Sequence, residues 1–256
     1  MGIFLGIGPP CYYIFQEEAI ETARLGERFI LEIKEIFGFN IYPPANLKVE
    51  VIRAFPKLYK GRVVYGKYDP LREMIVLFHG NFCRKTFIHE IFHSVSYFSR
   101  NPKLYEIDTS AKDLIEGLTE FLTGYMMFKK YKKCYDEWIM SNYPLCSISY
   151  ENPVRLFGAI AQIFIPISDF LKIYLYNPNI NWFDEYKKFL SCYGLEDFLF
   201  QKSRKKSKIP SSTFLGNIIM KTLHEKLGDQ RVDEFRDLWY NAPRGVVLDY
   251  STMKYI

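Results

Sequence analysis

An α+β fold is predicted for this chain of 256 residues, with a small sheet near its N-terminus and helices elsewhere. Three observations predict it. Helical spacing of apolar residues opens the chain, strand-like alternation is concentrated between residues 47 and 78, and from residue 83 onward the β signal nearly vanishes.

Residues 14–37 read as an amphipathic helix, because Ala19, Ala23, Gly26, Ile30, Ile33 and Phe37 recur three or four apart and Gly38 supplies a stop. Pro43-Pro44 breaks the chain, and LKVEVIRA (47–54) then alternates apolar and polar as a half-buried strand does. RVVYGKYDPLREMIVLF reads as two strands, 62–68 and 73–78, turned at Asp69-Pro70. The second is apolar throughout, the pattern of a strand covered on both faces. Residues 83–98 and 110–132 read as two helices. Pro153 at a helix start, Pro166 as a break and SSTFLGNIIMKTLHEKLG (211–228) mark a helical second half. The predicted order is a helix, a small mixed or antiparallel sheet, a helix pair, then an all-helical lobe. The expected division is a core lobe over 1–135 and a helical lobe over 136–256, with one continuous domain as the alternative.

Hydrophobic residues make up 48% and aromatics 18% of the chain, enough to build a globular core. The net charge of +5 permits an acidic partner without demanding one. The cysteines, Cys11, Cys83, Cys134, Cys146 and Cys192, form no CxxC pair, so neither a thiolate zinc site nor a disulfide framework is expected. MGIFLGIGPPCYYIF lacks a basic leader region and runs into Glu17 and Glu18, against a signal peptide. Gly6 stands where myristoylation prefers Ser or Thr. LFGAIAQIFIPI (156–167) carries Gln162 and Pro166 and is too short to span a bilayer. A cytoplasmic protein with no membrane partner is expected. Four glutamines beside abundant Tyr, Ile and Lys hint at a thermophilic source.

The chemistry concentrates in KTFIHEIFHSVSYF (85–98). The chain has four histidines, His79, His89, His93 and His224, and two of them stand four apart here with Glu90 after the first. On a helix that spacing puts both imidazoles on one face, one turn apart, able to converge on one metal ion. Glu90 sits among Phe87, Ile88, Ile91, Phe92 and Val95, where a carboxylate is costly unless something uses it. A zinc ion lowers the pKa of a water, and a neighbouring carboxylate takes the proton. The pattern is H-E-x-x-H.

A catalytic zinc takes three protein ligands. A third histidine six residues on is excluded, because position 99 is Ser99 and position 96 is Ser96. A carboxylate is the better candidate, and DLIEGLTEFLTGY (113–125) offers Glu116 and Glu120, four apart, with Gly117 allowing close helix approach. The competing reading makes Lys112, Glu116, Glu120 and Thr123 an ordinary solvated stripe.

His89-Glu90-x-x-His93 followed by Glu116-Gly117-Leu118-x-x-Phe121 resembles the gluzincin metallopeptidases, the class that includes thermolysin and the zinc aminopeptidases. The resemblance covers roughly residues 14–130 and implies a zincin-like core, with Zn2+ held by His89, His93 and Glu116. It gives Glu120 the acid that hydrogen-bonds the first histidine, a position where Asp is more usual. SYENPVRLFG (149–158) resembles the Tyr-Glu-x-Gly phrase of the aminopeptidases and offers Tyr150 as transition-state donor, with Pro153 where their Gly stands and His224 as the alternative. The class also binds substrate along an edge strand, which would be Ile75, Val76, Leu77 and Phe78.

The leading expectation is therefore a zinc peptidase acting on a peptide or protein, with Glu90 as general base. Two other readings stay open. One is a degenerate zincin kept as a binding or structural module. The other is a nucleic-acid-associated protein, suggested by QKSRKKSK (201–208), although that run holds no aromatic residue.

Overall fold

A computed structural model describes residues 16–52, 57–59, 62–78, 84–100, 109–132, 151–195, 212–241 and 250. The architecture is mixed α and β and mostly helical, with a small sheet. By compactness it divides into Met1–Pro102 with Leu175–Asn177, and Lys103–Tyr174 with Pro178–Ile256. The division falls ahead of the second helix of the predicted pair, where the sequence reading sets it at 135.

In the first unit, α1 (Gln16–Phe37) buries Ala23, Gly26, Phe29 and Ile33. Phe29 takes the place predicted for Ile30, which is only half-buried, because the spacing runs three then four. Gly38 ends the helix at φ +71°, its N–H donating to the Lys34 carbonyl at 2.8 Å. Such a left-handed stop costs glycine nothing sterically.

β1 (Lys48–Ile52) runs parallel to β5 (Met74–Phe78), with Val49 opposite Ile75 and Val51 opposite Leu77. β4 (Gly66–Asp69) pairs antiparallel on the other side of β5, with Gly66 opposite Leu77 and Tyr68 opposite Ile75. The sheet is thus mixed, in the order β1-β5-β4. A separate antiparallel pair, β2 (Lys57–Tyr59) and β3 (Arg62–Val64), was not foreseen. The predicted strand 62–68 is split at Tyr65, whose carbonyl accepts the Phe78 N–H at 2.7 Å. The predicted turn is held by Asp69, whose Oδ1 accepts the backbone N–H groups of Leu71 and Arg72.

One expectation is corrected here. Ile75, Val76, Leu77 and Phe78 do not form an edge, because β5 is hydrogen-bonded on both sides and its backbone groups are already paired. Among the described residues the outer edges of this sheet belong to β1 and β4. The all-apolar run is an interior strand, with Ile75, Val76, Leu77 and Phe78 all buried.

α2 (Arg84–Val95) lies against β4 and β5, and Phe87, Ile88, Ile91, Phe92 and Val95 are fully buried. The Phe87 ring is 5.7 Å from Phe29 of α1. The helix stops at Ser96, which bridges to Leu175, before the short α3 (Tyr97–Arg100). The Tyr176 N–H donates to the Val95 carbonyl at 2.9 Å. Arg100 donates to the Tyr42 carbonyl, stands 3.6 Å from the Glu73 carboxylate and lies over the Tyr176 ring.

The second unit is helical throughout its described residues: α4 (Thr109–Lys130), α5 (Glu151–Ile163), α6 (Ile167–Tyr174), α7 (Trp182–Cys192), α8 (Ser212–Leu227), α9 (Asp229–Arg236) and a π-helical turn, Asp237–Asn241. Pro153 sits in the first turn of α5 and Pro166 separates α5 from α6, as expected. Close approach of α4 and α5 depends on Gly117, where a Cβ would fall 2.3 Å from that of Pro153. One turn on, Phe121 faces Phe157 with ring centroids 6.2 Å apart. Tyr250 closes the next turn, its hydroxyl donating to the Phe121 carbonyl at 3.0 Å. No helix among the described residues is long and apolar enough to cross a membrane.

Candidate metal centre

The two histidines stand on α2 as the four-residue spacing requires. Their Nε2 atoms are 3.0 Å apart, and the rings meet edge to face at 74°. Two nitrogens on one tetrahedral ion at 2.0–2.1 Å would stand about 3.3 Å apart. The observed gap needs little adjustment to accept an ion.

Glu116 supplies the third donor. The ligand atoms of His89, His93 and Glu116 all lie within 4.8 Å of one another, the one such group among the described residues. Two imidazoles and a carboxylate are a donor set suited to zinc, which leaves one coordination position for water or substrate.

Burial separates this group from a surface coincidence. His93, Glu90, Glu116 and Glu120 are 6%, 6%, 7% and 5% exposed. The solvated-stripe reading of α4 fails, since Glu116, Glu120 and Thr123 are all buried and Lys112 alone of the four is exposed. Carboxylates in a dry interior cost several kcal/mol each unless partnered, and a dication is a partner of the right sign. α4 can hold polar groups inside because its hydroxyls are satisfied locally. Thr119 donates to the Ile115 carbonyl and meets the Tyr174 hydroxyl at 2.7 Å, while Thr123 donates to the Thr119 carbonyl.

The stem of Glu90 lies beside β4. A Cβ built on Gly66 of β4 would stand 3.2 Å from Glu90 Cγ and 2.8 Å from Thr86 Cγ2. This contact was not foreseen, although a glycine inside a strand pattern signals close backbone approach. Gly117 was expected to admit a neighbour, and that neighbour is Pro153. The proline standing where the aminopeptidase phrase has Gly is thus a packing residue.

Tyr150 lies outside the described residues. His224 is described: its side chain is 64% exposed on α8 and its Nδ1 is 2.6 Å from Asp229 Oδ1. The basic stretch 201–208 also lies outside the described residues.

Compared with known proteins, the chain matches no family model, no curated protein and no solved structure.

Proposed function

We propose that this protein is a zinc-dependent peptidase with a gluzincin-type ligand set on a zincin-like core. The convergence of His89, His93 and Glu116 carries the reading: donors 23 residues apart between His93 and Glu116 bring their ligand atoms within 4.8 Å. Bound there, a zinc ion would supply Lewis acidity toward a carbonyl and make a water acidic near neutral pH.

The chain's own residues do the rest. Glu90 takes a proton from water at its carboxylate and delivers it to the leaving amine. Its buried position and its contact with β4 keep that carboxylate out of bulk solvent. Glu120 is buried one turn beyond Glu116, and the gluzincin resemblance gives it the part of the acid that would orient His89 and leave its Nε2 bare for the metal. An extended peptide adds to the sheet at β4, whose outer edge carries no strand among the described residues.

The test is direct. Zinc-loaded protein incubated with a mixed peptide library should yield cleavage products by mass spectrometry, and Glu90→Gln should yield them at least about 100-fold more slowly while keeping its zinc. A wild-type protein that binds zinc and leaves every peptide intact would favour the degenerate zincin instead. His224 gives that second reading its support, because the alternative transition-state donor is exposed and engaged with Asp229.

A further inference from the structure

Gly66 is the residue of the sheet whose missing side chain matters most to α2. It lies on β4, opposite Leu77, on the sheet face that α2 covers. A Cβ there would meet Thr86 Cγ2 at 2.8 Å, Glu90 Cγ at 3.2 Å and Leu77 Cδ2 at 3.2 Å. Thr86 and Glu90 are one helical turn apart, so both stems rest on the same point of the strand. The first contact is closer than real side chains tolerate, and a β-branched threonine on a helix has little rotamer freedom with which to yield. At 3.2 Å the Glu90 stem would have to shift by a few tenths of an ångström to admit that Cβ.

We propose that Gly66 is a positioning residue for the Glu90 carboxylate. By presenting bare backbone, it lets α2 sink onto β4 until the glutamate stem is braced against the strand. The base is thereby aligned with the same strand edge that an extended peptide would join. Two requirements of the reaction, the place of the proton acceptor and the place of the substrate backbone, are set by one short stretch, Gly66–Asp69. The inference rests on Glu90 being the base, as set out under the proposed function. It goes beyond that reading in locating what holds the base still.

The test uses zinc-loaded full-length protein and two small probes that require no turnover. Acetohydroxamate gives up its hydroxyl proton as it chelates a metal, so its affinity reports a correctly placed acceptor. Azide binds as an anion and gives up no proton. In Gly66→Ala, acetohydroxamate should bind about tenfold more weakly, as a fraction-of-an-ångström displacement of a catalytic group predicts. Azide and zinc should bind as in the wild type. Adding Thr86→Ser removes the nearest clash but leaves the Glu90 contact, so the acetohydroxamate defect should persist.

Three results overturn the proposal: unchanged acetohydroxamate affinity in Gly66→Ala, equal losses for both probes and for zinc, or full restoration by Thr86→Ser. If Gly66→Ala alone does not fold, the double variant carries the same readout, and wild-type acetohydroxamate binding there overturns the proposal too. Wild-type protein that binds zinc and acetohydroxamate yet cleaves no peptide would refute the peptidase reading and leave this one standing.

Discussion

His93 and His224 are both histidines on helices, yet they live in opposite environments. His93 is 6% exposed on α2, surrounded by fully buried apolar neighbours, with a second imidazole 3.0 Å away. His224 is 64% exposed on α8, beside Asp229 in a region of short-range surface pairs such as Arg231–Glu234 and Arg236–Asp233. Exposed pairs of this kind contribute about 0–1 kcal/mol each. Burying His93, Glu90, Glu116 and Glu120 is different, because each polar group has to be matched inside the protein. The difference teaches where to look for chemistry: the informative charges are the ones the fold has enclosed at a cost.

The largest effect expected is from His93→Ala. Removing one of three ligands should cut zinc affinity by about 1000-fold or more, since two donors hold the ion poorly. Metal analysis of the dialysed protein should find zinc near one per chain in wild type and near zero in the variant. Retained stoichiometric zinc would break the comparison at its first term.

Glu90→Gln comes next. Loss of a general base costs about 100- to 10,000-fold in turnover, while the amide keeps the size of the buried side chain. Peptide turnover should fall by that factor with zinc content unchanged. Loss of zinc instead would make Glu90 a ligand and displace Glu116.

A smaller effect is expected at Glu120. Removing the carboxylate that orients a metal-binding imidazole weakens metal affinity by about 10- to 100-fold. A zinc competition titration of Glu120→Ala should show that loss in a protein that still unfolds cooperatively. Equal affinities would leave Glu120 a buried residue of α4 with no part in the centre.

His224→Ala should change least. Zinc affinity should be unaltered, and stability should move by no more than about 0.5 kcal/mol, as for exposed substitutions away from special features. A clear drop in turnover would bring His224 back as the transition-state donor.

How far the sequence alone leads depends on whether a feature is local. The H-E-x-x-H spacing, the stop at Gly38, the Asp69 turn and the proline break at 166 were legible because each acts within one helical turn or one β-turn. Interior against edge was not. An apolar run such as Met74–Phe78 reads the same wherever it lies in a sheet that covers both its faces, and only pairing with β1 and β4 places it in the middle. Long-range fits were equally hidden. Nothing local announces that Gly117 admits Pro153, or that Tyr250 closes over Phe121. Chemistry narrowed the candidate third donor to Glu116 or Glu120, and it is Glu116 whose carboxylate groups with the two imidazoles.

The clasp at the end of α2 has a consequence in time. The carbonyl of Val95 is paired by Tyr176, and Ser96 bridges to Leu175, so a segment about 80 residues later completes the first unit. During synthesis, the helix bearing both imidazoles emerges long before the strand-like piece that secures its C-terminal end. Closing a loop of that length costs entropy that only late contacts repay. The helix of the histidine pair therefore gains this last contact only after α4, α5 and α6 have left the ribosome. A chain halted before Leu175 would carry the whole H-E-x-x-H sequence and still lack the contact that finishes its helix.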